Sequence, residues 1–479
     1  MKRYLCWDHT LIERQTGVQT VMHKPEKRNV ALVCDDEWEG ACNGYATVLR
    51  VGDHYRMYYR ATVLRRRADG TSPPYTSVIC VAESRDGITF CKPVLGLYEF
   101  NGSRENNIVY ATENLKRDTF SILYDDAPDC PAEERFKALT ERRYPGGPRL
   151  VYLSSADGYR FTEQYELDVR GTMDSYNALF RDPRTGLYHL YYRAFHDADG
   201  TDHFSFEGVD LVRSIRDVRH ATSPDFRNWT AHGRITFEAG QADVPLYTNQ
   251  IAPYYRDPDT LIGFPTRYTD RADEPQSFAH MPLADYRAAI TAHFGREGTA
   301  LTDCLIMTSM DGQRFNRRDE AFFSPGPENR FNWWYGDCYL GYGMQETAAE
   351  EPGAPCEISL YTGEGYRIKS VSFRRYTVRQ DGFFSWYAPW AGGEVLTRPI
   401  VPNGERLELN FSTSAAGALS VALCNEAGEI LPGYESGPLF GNSTARTVDF
   451  QAPLTALCGQ PVRLRLTLRD AHLYSFAWI

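Results

Sequence analysis

The chain has 479 residues, a formal net charge of −11 and a pI near 5.6. That length allows two or more domains, each able to bury a core without cross-links, and the acidity argues against a nucleic-acid groove or an anionic membrane as the main partner. Aromatic residues make up 13% of the chain, with 31 Tyr, which supplies flat faces suited to stacking on sugar rings.

The start carries Lys2 and Arg3 but no apolar run behind them, and nothing later approaches the ~20 apolar residues of a membrane span. A cytoplasmic protein is expected, with no nucleic-acid or membrane partner. The 11 Cys are an odd number with no C-x-x-C pair, so reduced, mostly buried thiols are expected, with no metal and no cofactor.

In chain order, "NGYATVLRVGD" and "HYRMYYRA" (43–61) alternate apolar and polar residues as strands do, and "ESRDGITF" (83–90) follows a third such run. The sequence then repeats itself. "RDTFSILYDD" (117–126), "RFKALTER" (135–142) and "SSADGYRF" (154–161) form the second copy, and "DSYNALFRDPRTG" (174–186), "YHLYYRAF" (188–195) and "TSPDFRNW" (222–229) the third. "TNQIAPYYRDPDT" (248–260), "LIGFPTRY" (261–268) and "TSMDGQRF" (308–315) form the fourth. In the fifth, "YGDCYLGYG" (335–343) precedes a weakened "RQDGFFSW" (379–386).

The aligned positions Ser84, Ser155, Ser223, Ser309 and Arg379 are 71, 68, 86 and 70 residues apart. Each unit reads strand, turn, strand, loop, strand, Asp-Gly turn, strand, because Gly accepts positive φ and Asp tolerates it. Four-strand units in series at that spacing predict an all-β, five-bladed β-propeller, with blades near 44–110, 115–170, 174–235, 247–325 and 334–390. Residues 282–298 read as a helical insertion in the fourth blade, overhanging one mouth of the channel. The propeller is expected over 1–392. The strictly alternating stretch over 393–479, with the hairpin turn Asn-Glu-Ala-Gly, reads as a β-sandwich accessory domain.

Innermost propeller strands run along one channel, so the residues that begin them are expected to share a funnel. These are Glu39 or Asp36, Asp118, Asp174, Asn249 and Asp337. Glycosidic cleavage needs two carboxyl groups flanking the bond, and a third can tune them. Arg60, Arg193 and Arg267, which close second strands, are candidates for an anionic group on a sugar or for pairing with the acids. Trp38, Trp333, Trp334 and Tyr335 are candidates for stacking on sugar faces. Asp182 in "FRDPRTG" and Asp257 in "YRDPDT" read as turn residues.

A five-bladed propeller followed by a sandwich resembles glycoside hydrolase families 32, 43 and 117, and "RLTLRDAHLYSFAWI" looks like the closing strands of the family 32 sandwich. The resemblance implies a glycosidase that acts on a small oligosaccharide, with Asp174, Glu39 and Asp118 catalytic and Trp38, Arg60, Arg193, Asn249, Arg267, Trp334 and Asp337 binding substrate. The sequence departs from those families: the W-x-N-D-P motif of family 32 is absent, and the third blade offers Asp174 where family 43 has Glu. A non-catalytic glycan-binding propeller and a glycoside phosphorylase are the alternatives. A small carbohydrate is the expected partner, and assembly into a homo-oligomer is compatible with the sequence.

Overall fold

The computed structural model describes residues 2–63, 76–112, 119–211, 213–367 and 370–479. Five sheets of four main strands follow one another in the chain. Blade I is Gly44–Val51, His54–Thr62, Ser77–Ser84 and Ile108–Tyr110, and blade II is Phe120–Tyr124, Phe136–Tyr144, Gly147–Ser155 and Thr162–Glu166. Blade III is Ala178–Arg181, Tyr188–His196, Ile215–Ser223 and Thr230–Arg234, with Asp202–His203 added at one end. Blade IV is Ala252–Tyr254, Asp257–Gly263, Met307–Ser309 and Arg314–Arg317. The hairpin Thr266–Asp270 with Ala300–Cys304 continues it, and the predicted insertion leaves from that hairpin as helices Pro275–His280 and Ala284–Phe294. This is the five-bladed propeller that the repeat implies.

The fifth blade is built differently from its expected span of 334–390. Gln345–Thr347, Glu357–Glu364 and Ser372–Arg379 take their outer partner from near the chain's start, Glu26–Val33. A ring of blades must be closed by some contact between its ends, and here backbone hydrogen bonds between distant parts of the chain supply it. The strand expected to complete the blade, Phe384–Ala388, pairs instead with Arg463–Trp478 and Gln19–Met22.

Those strands belong to a nine-stranded sheet that draws on both ends of the chain. Lys2–Leu5, Ile12–Thr16 and Gln19–Met22 join Phe384–Ala388, Gly393–Thr397 and the long strands Leu407–Cys424 and Arg463–Trp478. A register shift between Thr413 and Ala418 lets the longest pair bend, and the sheet curls round one apolar core that includes Trp386, Trp478, Leu464 and Phe411. Burying an aromatic side chain of that size contributes about 1.5–3 kcal/mol.

The Asp-Gly turns join third and fourth strands, and their chemistry is local. In blade II the Gly158 N–H donates to Ser155 Oγ at 2.9 Å, while the Tyr159 and Arg160 N–H groups donate to Asp157 Oδ1 at 2.8 and 2.9 Å. The same set recurs at Ser84 and Asp86 and at Ser309 and Asp311, while at Ser223 it is the Asp225 N–H that donates to the serine Oγ, with the Arg227 and Asn228 N–H groups donating to Asp225 Oδ1. Gly87, Gly158 and Gly312 have φ of 72°, 75° and 75°, and Phe226 holds the equivalent place at 65°. Each glycine carbonyl also receives a tyrosine hydroxyl from the preceding blade: Tyr58 to Gly158 at 3.0 Å, Tyr191 to Gly312 at 2.8 Å, and Tyr361 to Gly87. The repeated turn therefore pins one blade to the next.

The fifth copy has a different task. Asp381, at φ 57°, is buried where propeller and curled sheet meet. It accepts hydrogen bonds from Tyr254 at 2.6 Å, Arg256 at 2.8 Å, Arg3 at 3.0 Å and Ser475 at 2.6 Å. All 11 Cys are free, eight of them buried. Among the described residues no helix is long and apolar enough to cross a membrane.

Candidate active site

The inner strands do not begin at the residues expected to line the funnel. Asp174 precedes Ala178, Asn249 precedes Ala252, Glu39 precedes Gly44 and Asp337 precedes Gln345, so each sits in a lead-in loop. Three lead-ins contain a non-glycine residue with left-handed backbone, Met173 (φ 51°), Gln250 (41°) and Cys338 (59°), and blade I has one at Tyr45 (51°), the second residue of its first strand. Strained residues of this kind re-aim their neighbours. The side chains ahead of the four strands nevertheless end in different surroundings.

Asp174 and Arg60 reach the axial pocket, a cavity of about 220 Å³. Its wall also carries Tyr45, Tyr247, Tyr335, Tyr339 and Tyr366, together with Arg143, Arg296, Glu297 and Arg367. Arg193 stands behind the wall: its Nη2 donates to Asp174 Oδ1, and its guanidinium lies 4.6 Å from the centre of the Tyr247 ring. Arg60 packs on Tyr45 at 4.7 Å. Glu297 pairs with Arg367. Arg296 and Glu297 lie on the short turn Gly295–Gly298 that follows the inserted helix, so the insertion supplies part of the wall. The helix is anchored by Arg287, which donates to the carbonyls of Gly298 and Trp333 and lies over the Trp334 ring at 4.0 Å.

The tyrosines form a connected belt. Tyr335 Oη donates to Tyr247 Oη at 2.6 Å, and the Tyr247 ring lies 5.3 Å from that of Tyr339, which in turn is 6.0 Å from Tyr45. Burial pushes the Tyr247 phenol up, but the Arg193 guanidinium, the hydrogen bond from Tyr335 and Arg296 together outweigh this and hold it below the usual phenol value. Tyr335, equally buried, is pushed well above it.

Several expected site residues lie elsewhere. Glu39 is fully buried in blade I, where it accepts from Tyr59 Oη at 2.5 Å and from Lys92 Nζ at 2.7 Å. Burial raises its carboxyl above the ordinary value against the pull of Lys92 and Tyr59. Asp35, Asp36 and Glu39 lie close enough together to suggest a cation site, but the Lys92 ammonium already bonds all three at 2.7–3.2 Å. Trp38 donates to Asn107 at 2.8 Å and packs on the blade I core. Asn249 is buried and bonds the Tyr191 carbonyl, and Arg267 pairs with Asp303 on the inserted hairpin.

Asp337 caps its own turn by accepting the Trp334 N–H at 2.8 Å. Burial pushes its carboxyl up to about 7, but it lines a separate cavity with Lys27, Glu364 and Arg374. Trp334 is buried under Arg287. Asp182 is bound by Arg184 within its turn, whereas Asp257, also read as a turn residue, opens the strand Asp257–Gly263 just after the tight turn at Tyr255 and Arg256 and accepts from Thr260. Asp118 lies outside the described residues.

The sequence reading did not single out Glu297, Arg143, Arg296 or Arg367, nor Tyr45, Tyr247, Tyr339 or Tyr366. The usable signal was the insertion itself, since a helix placed over a channel mouth brings its own side chains to the wall.

No family model matches the sequence, and no curated protein does. Solved structures similar to this chain include a glycosyl hydrolase from Bacteroides ovatus, 13% identical over 74% of this chain and 93% of that one, with a TM-score of 0.41. A structure described under "The GH130 family of mannoside phosphorylases contains glycoside hydrolases that target beta-1,2 mannosidic linkages in Candida mannan" is 13% identical over 74% and 94%, with a TM-score of 0.41. A thermostable family-43 glycoside hydrolase is 12% identical over 71% and 90%, with a TM-score of 0.38. At such low identity and TM-scores these are distant likenesses, and they leave the chemistry of this chain to its own pocket.

Proposed function

We propose that the protein is a glycoside-cleaving enzyme whose substrate enters the axial pocket. One observation carries the reading: Asp174 and Glu297, brought from the blade III lead-in and the blade IV insertion, line the same tyrosine-walled cavity. Glycosidic cleavage needs a carboxyl group that protonates the leaving oxygen and a second group that activates water or attacks the anomeric carbon. Arg193 and Arg367 fix the two carboxylates by ion pairing, which sets their direction. The tyrosine belt offers faces for a sugar ring, and the Tyr247 phenol, held below its usual value, is a further proton-transfer group beside Asp174.

The excess of guanidinium groups favours phosphorolysis as the second reading, with inorganic phosphate in place of water. The test is a panel of aryl glycosides and short oligosaccharides with and without phosphate, run on the parent, Asp174→Asn and Glu297→Gln. Loss of turnover in both folded variants supports the reading. Parental turnover in both ends it, and sugar 1-phosphate as the product selects phosphorolysis over hydrolysis.

A further inference from the structure

The substrate class can be read from the charge of the wall. The pocket is lined by four arginines, Arg60, Arg143, Arg296 and Arg367, against two carboxylates, Asp174 and Glu297. Two more guanidiniums stand directly behind it. Arg193 contacts Asp174 and Tyr247, and Arg216 lies 5.7 Å from the Tyr247 ring and 4.5 Å from that of Tyr268. This cationic wall sits in a chain of net charge −11, so it is a local feature and no reflection of a basic protein.

Buried guanidiniums are costly to leave without partners. Asp174 pairs with Arg193, Glu297 with Arg367, and Glu141, outside the pocket lining, with Arg143 at 2.8 Å, and these carboxylates engage only part of the donor set. Arg193, 3% exposed, has Nε and Nη1 without a hydrogen-bond partner among the described residues. The same holds for Arg296 Nη1 and for Nε and Nη1 of Arg367. The Tyr339 hydroxyl in the same wall is also buried without a partner. An oxyanion in the pocket would engage the guanidiniums of Arg296 and Arg367, which line it, since a guanidinium fork matches the geometry of carboxylate and sulfate, and a pocket with low-dielectric walls focuses the attraction. The same wall presents five tyrosines, which suits a pyranose or furanose ring better than a bare inorganic ion.

We propose that the axial pocket selects a sugar bearing a carboxylate or sulfate, with the arginine cluster on the charged group and the tyrosine belt on the ring. The proposal rests on the glycoside reading above for the enzyme's chemistry, but binding tests it without turnover.

The experiment is calorimetry on the parent and on Asp174→Asn with four probes: methyl glycosides of uronic acids, the matching neutral hexosides, sugar sulfates, and inorganic phosphate. A uronate or a sugar sulfate should bind at least tenfold tighter than its neutral counterpart, and more weakly as salt rises. Which of the two binds tighter identifies the oxyanion. Arg296→Gln, at a partly exposed position, should lose about tenfold or more for the anionic sugar and under twofold for the neutral one.

Equal or tighter binding of neutral hexosides, binding of none of the sugars, or saturation by phosphate alone without competition from anionic sugars overturns the inference. If anionic sugars bind selectively and no glycosidic bond is cleaved, the substrate class stands and the catalytic reading falls. If neutral glycosides are cleaved in an Asp174-dependent way and uronates and sulfates do not compete, the reverse holds.

Discussion

Arg193, on the second strand of blade III, donates to the carboxylate of Asp174 in the lead-in to the first strand of the same blade. The pair joins the axial wall to the blade and points the acid at the pocket. Asp174→Asn is nearly isosteric and keeps a hydrogen-bonding oxygen, so the fold should survive. Turnover should fall roughly 10²-fold or more, the scale of general acid–base participation, while sugar binding falls far less. Circular dichroism beside a glycosidase assay checks both.

Glu297 and Glu39 should respond in opposite ways. Glu297→Gln should cost activity and little stability, because the residue lines the pocket on an inserted turn. Glu39→Gln leaves the half-buried Lys92 with a weaker partner. It should lower unfolding free energy, by up to about 3 kcal/mol if the pair behaves as a buried one, with turnover per folded molecule unchanged. Denaturant melts and active-site titration separate the two.

The turn glycines are set by φ and by space. A Cβ on Gly158 would lie 2.6 Å from Tyr58 Oη, one on Gly312 2.8 Å from Tyr191 Oη, and one on Gly87 2.9 Å from Thr347 Cγ2. Val at any of the three should therefore destabilise by about 2 kcal/mol or more and lower the melting temperature. Parental melting in all three would refute this account of how the turns join the blades.

Asp381 holds three parts of the chain together through Arg3, Arg256 and Ser475. Burial pushes its carboxyl up, but Arg256, Arg3 and the hydrogen bonds from Ser475 and Tyr254 together outweigh that and hold it below the ordinary carboxylate value. A depressed folded value contributes stability that is present above the unfolded value near ~3.9 and is lost as pH falls through the folded one. Asp381→Asn should cost about 3–5 kcal/mol and reduce the acid-induced part of unfolding. Unfolding scans from pH 7 to pH 2 on parent and variant test this.

His196 is clasped by Asp217 at 2.9 Å and Asp243 at 2.7 Å. Burial alone would lower its value, yet the two carboxylates push it up to about 9. A raised folded value gives stability that is full below the unfolded value near ~6.5 and lost as pH rises through about 9. The melting temperature should therefore decline between those pH values, and His196→Gln should flatten that decline.

The repeat was legible because its signal is local. Ser155, Asp157 and Gly158 bond one another within a few residues, so the same short pattern builds the same turn wherever it occurs. Alternation then marks the strands that flank each turn, and five copies at near-constant spacing imply five blades. The weakened fifth copy was the warning that its turn has another role, since Asp381 exchanges the local turn for contacts with both ends of the chain.

Closure of the ring and the composition of the site were decided in three dimensions. Nothing near Glu26–Val33 says that it will complete a blade whose other strands begin 319 residues later at Gln345, because that pairing depends on the ring bringing its two ends together. Likewise Glu39, Asp174, Asn249 and Asp337 occupy matching places in sequence, but the packing around each differs, so that Asp174 lines the axial pocket and the others are buried elsewhere. The sequence by itself determined the number and kind of blades, through hydrogen bonds a few residues long. Only tertiary packing, which joins Asp174, Arg296, Glu297 and Tyr247 from separate elements, decided which side chains share the axial pocket.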